Sequence, residues 1–264
     1  MVALALIPAI VLLVYIYKKD KKEKEPMKLL LKCFFWGVLS TIAVLVLEEL
    51  GSSIFEDDLI QGSIKYAAVD GFVIAALSEE FCKFVTLKRC TWKSPEFNCR
   101  FDGIVYAVFV SLGFAACENV FYVIDGGLSI AILRMFTAVP LHALCAVYMG
   151  FYYSKAKEAS IYADRRSERR NKRRALFIPI LVHGFYDFLL SIDADVEGES
   201  AFLVSFLIWI AFVIVMFIIS LKLVKKASLA DDFFKTDLGT DLNQTGTDLN
   251  QTGTDLNQTG TDLK

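Results

Sequence analysis

The chain has two histidines in 264 residues, His142 and His183, and no HExxH motif. That excludes the arrangement in which one helix supplies two zinc ligands and a general base. The six cysteines, Cys33, Cys82, Cys90, Cys99, Cys117 and Cys145, contain no CxxC pair. Four lie in apolar runs, where cysteine behaves as a small hydrophobe. Cys90 and Cys99 share a basic loop that is placed in the cytoplasm, so no structural disulfide is expected. A zinc site there needs two further ligands that the loop does not offer. No serine stands in a recognisable pattern with a histidine and an acid; Ser78, beside Glu79, is the nearest case. Repeated halves with matched broken helices are also missing, which counts against a transporter.

What the chain does have is apolar residues, 55% of the total, gathered in runs of about 20. A soluble domain is less apolar and less segregated, so the composition indicates a polytopic, all-α transmembrane helical bundle. Seven spans are expected: residues 2–17, 29–47, 64–87, 103–124, 128–153, 176–192 and 202–223. The fourth and fifth are joined by the short turn Asp125-Gly126-Gly127. Basic loops follow spans one, three, five and seven, and acidic or neutral loops follow two, four and six. Lysine and arginine mark the cytoplasmic side, so the N-terminus is expected outside and the C-terminus inside. The loop Lys155–Arg174 holds nine Lys or Arg; it is taken as a topology determinant near anionic lipid rather than a nucleic-acid site.

The expected division is a transmembrane domain over residues 1–226 and a cytoplasmic tail over 227–264. From Thr240 the tail repeats Thr-Asp-Leu-Asn-Gln-Thr-Gly. With one apolar residue and one glycine per repeat it has no coiled-coil seam, and its composition is that of a disordered extension.

Charged residues inside the runs are the informative ones, because each costs roughly 2.5–3.5 kcal/mol at a span centre unless shielded or paired. The third span carries Glu79, Glu80 and Lys83; the fourth Glu118 and Asn119; the fifth Arg134 and His142; the sixth His183 and Asp187. At about 1.5 Å per residue, Glu79, Glu80, His142, His183 and Asp187 lie roughly 10–18 Å from the cytoplasmic span ends, and Glu118 perhaps 22 Å. One polar cavity between spans three to six is therefore expected. Lys83 is i+4 from Glu79 and Asp187 is i+4 from His183, so each pair shares a helix face. Adjacent Glu79 and Glu80 point about 100° apart, so one faces the cavity centre and the other a neighbouring helix. A desolvated carboxylate can take a proton from water near neutral pH, and a histidine can hold the water or donate to an oxyanion. Any of these residues alone serves equally as interhelical glue; it is their assembly that points to chemistry.

Glu79-Glu80-Phe81-Cys82-Lys83 reads EExxK. It is followed by Asp102-Gly103, Gly113-Phe114-Ala115, Glu118-Asn119-Val120-Phe121-Tyr122, then Arg134, Pro140 and His142, and finally His183-Gly184-Phe185-Tyr186-Asp187. This series resembles the PrsW family of intramembrane proteases, related to the CAAX-protease and bacteriocin-processing superfamily. The resemblance implies hydrolysis of a membrane-anchored protein in the bilayer of a bacterial or archaeal cell membrane, with an anti-sigma factor as substrate and the cut on the outer side. It implies that Glu79 or Glu80, with His142, activates water and that His183 donates to the oxyanion. Asp187 stands where relatives often have Asn; ionised, it can only orient His183. Lys83, Glu118 and Asn119 are supporting residues. No cofactor, metal or nucleic acid is expected. Two alternatives remain open: a zinc protease with Glu79 or Glu80, His142 and His183 as ligands, which the Lys83 charge disfavours, and a proton-coupled carrier.

Overall fold

The computed structural model describes residues 2–55 and 59–234. The repeats from Thr240 and the acidic stretch 56–58 lie outside the described residues. Among those described, the chain is helical without a strand: α1 (Val2–Lys19), α2 (Met27–Phe55), α3 (Ile64–Val69), a π-helical segment (Asp70–Ala76), α4 (Leu77–Thr91), α5 (Asp102–Phe136), α6 (Ala138–Ile161), α7 (Arg165–Leu190), α8 (Ala194–Glu197) and α9 (Glu199–Leu229). Four helical stretches, Met27–Phe55, Asp102–Ile124, Ile132–Ile161 and Glu199–Leu229, are long and apolar enough to cross a membrane. The expected third span is the composite α3–π–α4 rod, which carries the paired acids and Lys83, and the sixth lies in the apolar half of α7, whose first ten residues are mostly basic. The 226/227 boundary falls inside α9.

Burial orders the bundle. The first part of α5 is 78% buried and α9 only 11%, so α5 is the central post and α9 an outer helix, apolar all round as a lipid-facing helix is. Around α5 stand α1, α2 and α6, and α7 packs on α6 and on the π-helical segment. The α2–α5 crossing is close because both helices put glycine there. A Cβ on Gly37 would overlap the Val110 carbonyl, and one on Gly113 the Phe34 carbonyl. Small residues at such crossings let backbones approach, the main source of packing energy between helices in lipid.

Two local irregularities place the polar residues. The π-helical segment ends at Ala76, three residues before Glu79, and such wider turns concentrate at functional sites. It lies against α7 through Gly71 and Gly184: a Cβ at Gly71 would stand 2.7 Å from the Phe188 nitrogen and 2.9 Å from the Gly184 carbonyl oxygen. That contact brings His183 beside the start of α4. In α5 the helix breaks at Gly127, whose φ of 71° suits glycine. The expected turn between spans four and five is this break, and it folds Arg134 back toward Glu118.

Candidate active site

Three helices meet at Lys83. Its Nζ donates to Glu79 Oε2 at 2.8 Å and Glu80 Oε1 at 2.8 Å, both on its own helix, and lies 3.0 Å from His142 Nδ1 on α6. The Phe114 ring of α5 closes the fourth side, 4.2 Å from Nζ to its centroid. An ammonium only donates, so His142 Nδ1 accepts and bears no proton. Its Nε2 therefore carries the hydrogen and donates to Glu118 Oε2 at 2.8 Å. Glu118 is held in turn by Arg134, whose guanidinium lies 2.9 Å from Oε1, while Arg134 Nε donates to Asn119 Oδ1 at 3.1 Å. One chain of contacts thus runs Asn119–Arg134–Glu118–His142–Lys83.

His183 of α7 completes the group. Nδ1 is 2.9 Å from Glu80 Oε1 and Nε2 is 3.2 Å from Asp187 Oδ2. Held between these two carboxyl groups, the ring is fixed in orientation at both ends. The expected i, i+4 pairings, Glu79–Lys83 and His183–Asp187, are both made. The two imidazoles stand edge to face with centroids 5.2 Å apart.

Glu79 and Glu80 differ in surroundings. Glu80 is fully enclosed, facing His183 and Lys83, whereas Glu79, His142, His183, Glu118, Arg134 and Asp187 line a cavity of about 490 Å³. Lys83 and Glu80 lie buried behind that lining. Its exposed rim comes from Leu45 and Ser52 of α2, Phe121 and Tyr122 of α5 and Leu190 at the end of α7. Ser52, Tyr122 and Leu190 stand next to the acidic loops, so the cavity opens toward the acidic-loop face.

All eight candidate residues, Glu79, Glu80, Lys83, Glu118, Asn119, His142, His183 and Asp187, fall in this network or on its wall. The sequence did not assign α2 to the site, yet Thr41, Val44 and Glu48 line the cavity. Glu48 sits beside Glu49 at the edge of an apolar run and looks like a span end. Asp70, inside the third run, carried the same signal as Glu79 and also lines the wall.

The donor set also converges as a metal site would. One ligand atom each from Glu79, Glu80, His142 and His183 lie within 4.8 Å of one another. The outward nitrogens of both histidines face carboxylates, Glu118 and Asp187, the usual support for histidine ligands. Carboxylate and imidazole suit zinc, so the residues fit such an ion. The Lys83 ammonium, within hydrogen-bond range of three of the four, competes for the same donors.

An all-helical, membrane-type bundle that buries paired carboxylates, two histidines and a lysine beside a cavity has the make-up of an intramembrane peptidase. The chain belongs to the PrsW family: residues 25–220 match the family described as PrsW family intramembrane metalloprotease. Protease PrsW of Oceanobacillus iheyensis is 36% identical over 221 residues, 84% of this chain and 93% of that protein. Protease PrsW of Geobacillus kaustophilus is 36% identical over 183 residues, 69% of this chain and 76% of that protein. Protease PrsW of Bacillus subtilis is 33% identical over 184 residues, 70% of this chain and 79% of that protein. No solved structure matches.

Proposed function

We propose that this intramembrane protease crosses the bilayer seven times with its acidic loops outside, and that it cuts a membrane-anchored protein with Glu79 as general base. The observation that carries this is the pairing of Glu79 with the cavity and of Glu80 with the interior. A water held between Glu79 Oε2 and the His142 side of the cavity loses a proton to Glu79. Its oxygen attacks the scissile carbonyl, and the developing oxyanion lies beside the His183 ring; a fixed donor is worth most in a site that excludes bulk water. Glu79 then returns the proton to the leaving amine, the C–N bond breaks, and a carboxylate and an amine leave. Lys83 and Glu80 hold the two histidines; Glu118 and Arg134 set the His142 tautomer.

The cavity mouth on the acidic-loop face supports entry of substrate from outside the membrane, although the reacting groups sit deep. That agrees with the outer-face cut implied by the family resemblance, which also supports an anti-sigma factor as the substrate. The test is a reconstituted single-span substrate incubated with wild type and Glu79→Gln; cleavage on the outer segment by wild type alone is the expected result.

A second reading is favoured by the convergent donors. Glu79, Glu80, His142 and His183 would hold a zinc ion, which would polarise the carbonyl and lower the pKa of a bound water. Metal analysis of active protein decides between the two. Activity at less than one tenth of a metal per chain supports the glutamate mechanism, and activity proportional to metal content supports the ion.

A further inference from the structure

The outer side of the bundle carries a groove of about 530 Å³ between α2 and α4, and no residue lining it also lines the active-site cavity. Helical spacing builds the groove from two stripes. On α2, Lys32, Trp36, Leu39 and Ala43 stand three or four residues apart and share a face; on α4, Phe81, Val85 and Arg89 do the same. The Cys33 and Cys90 side chains meet between the helices. Farther along, Gly51 lies on the π-helical segment, where an added Cβ would stand 3.2 Å from Ile74 Cγ1. The two rods therefore run antiparallel, and Lys32 and Arg89 come to the same, basic-loop end of the groove. Both are exposed, and among the described residues neither makes an ion pair or a hydrogen bond. No acidic residue lines the groove.

The stripe from Lys32 to Ala43 rises about 16 Å, close to half of a hydrocarbon core roughly 30 Å thick. The groove thus has the reach of one leaflet. Two cations stand at its headgroup end, the exposed Trp36 indole lies one turn in, at the level where such rings settle, and apolar walls follow. We propose that this groove binds an anionic phospholipid of the leaflet on the basic-loop side, with the phosphate between Lys32 and Arg89 and an acyl chain along Trp36, Leu39 and Phe81. A guanidinium presents paired N–H donors that match two phosphate oxygens, and an ammonium adds a point charge. A zwitterionic lipid offers the same phosphate but brings an ammonium of its own, which the two unpaired cations repel. The groove between α6 and α9 shows the contrast: Phe136, Pro140, Leu144 and Phe217 line it and no charged residue does. It can take a chain but gives a headgroup no partner.

The lipid bridges two helices whose other faces line the active-site cavity, α2 through Thr41 and Val44 and α4 through Glu79. A ligand that fits one spacing of α2 and α4 better than others favours that spacing. The choice of leaflet rests on the topology proposed above. The site itself depends neither on that topology nor on the protease reading, and its test reads binding rather than cleavage.

The probes are phosphatidylglycerol and phosphatidylcholine with brominated acyl chains, since bromine quenches a tryptophan that it touches. Full-length protein in a non-ionic detergent is titrated with each. The expected result is saturable quenching by brominated phosphatidylglycerol, about tenfold or more tighter than by brominated phosphatidylcholine, and absent in Trp36→Phe. Lys32→Gln/Arg89→Gln weakens it about tenfold or more. Arg165→Gln/Arg166→Gln, which removes two exposed charges of the basic loop outside the groove, leaves it unchanged. Ala43→Phe fills the far end of the groove, keeps both charges, and weakens it as well. Inorganic phosphate does not displace the lipid. Equal quenching by the two lipids, quenching that persists in Trp36→Phe, equal loss in the two charge variants, or displacement by inorganic phosphate would each overturn the proposal. An unquenched Trp36 in a dimer that Ala43→Phe dissociates would also overturn it, and would assign the groove to a second copy of the chain.

Discussion

Glu79 and Glu80 are neighbours in the chain, share the Lys83 ammonium at equal distances of 2.8 Å, and face different worlds: Glu79 the cavity, Glu80 the His183 ring. The same substitution should therefore have two signatures. Glu79→Gln removes the base and lowers the cleavage rate about 10²–10⁴-fold with little change in melting temperature. Glu80→Gln also abolishes cleavage, but it leaves Lys83 and His183 short of a fully buried partner and costs about 3 kcal/mol. Cleavage rates and thermal melts of the two variants, side by side, check this. Equal destabilisation by both would contradict the division of roles.

Arg134 acts on the site through Glu118. With the guanidinium gone, Glu118 is free to leave His142 Nε2, and the ring loses its fixed tautomer. Arg134→Gln should lower kcat by about 10–100-fold, the usual effect of losing such a supporting contact, with KM nearly unchanged. Arg134→Lys should recover part of it. A rise in KM with kcat unchanged would place Arg134 in substrate binding instead.

The contact between Gly71 and Gly184 predicts an indirect loss. In Gly71→Ala the new methyl meets the Phe188 backbone, which cannot yield as a side chain can. The cost is about 1–3 kcal/mol of overpacking, and α7 shifts away from α4, taking His183 with it. Cleavage should fall in proportion to the loss of the His183–Glu80 bond, and an unperturbed rate in a folded Gly71→Ala protein would show that His183 placement does not depend on this crossing.

Truncation separates the tail from the bundle. Deleting residues 240–264 should leave cleavage and melting temperature near wild type. Deleting from 231 removes Phe234, which is buried against Phe97 with ring centroids 5.8 Å apart, and should lower the melting temperature by several degrees. Expression, melting and cleavage of the two truncations give the answer.

Much of the site was legible because a charge in an apolar run stands against an empty background. Glu79, Glu80, Lys83, Glu118, His142, His183 and Asp187 announce themselves this way, and helical spacing paired Glu79 with Lys83 and His183 with Asp187. What spacing cannot give is contact between helices. The Arg134–Glu118 pair depends on the break at Gly127. The part played by α2 depends on a glycine crossing that brings Glu48 and Thr41 to the cavity. The sequence placed the acids at a depth but could not say from which face they are reached; the rim residues Ser52, Tyr122 and Leu190 supply that direction.

The central claim, that Glu79 drives cleavage of membrane-anchored proteins on the acidic-loop face, is tested most directly by profiling protein N-termini in membranes of host cells. Wild type and Glu79→Gln/Glu80→Gln are compared at equal expression, with and without envelope stress. The account predicts new termini beside membrane segments, on their outer side, only with wild type. Matching profiles under both conditions, or wild-type-specific termini confined to the cytoplasmic side, would contradict it.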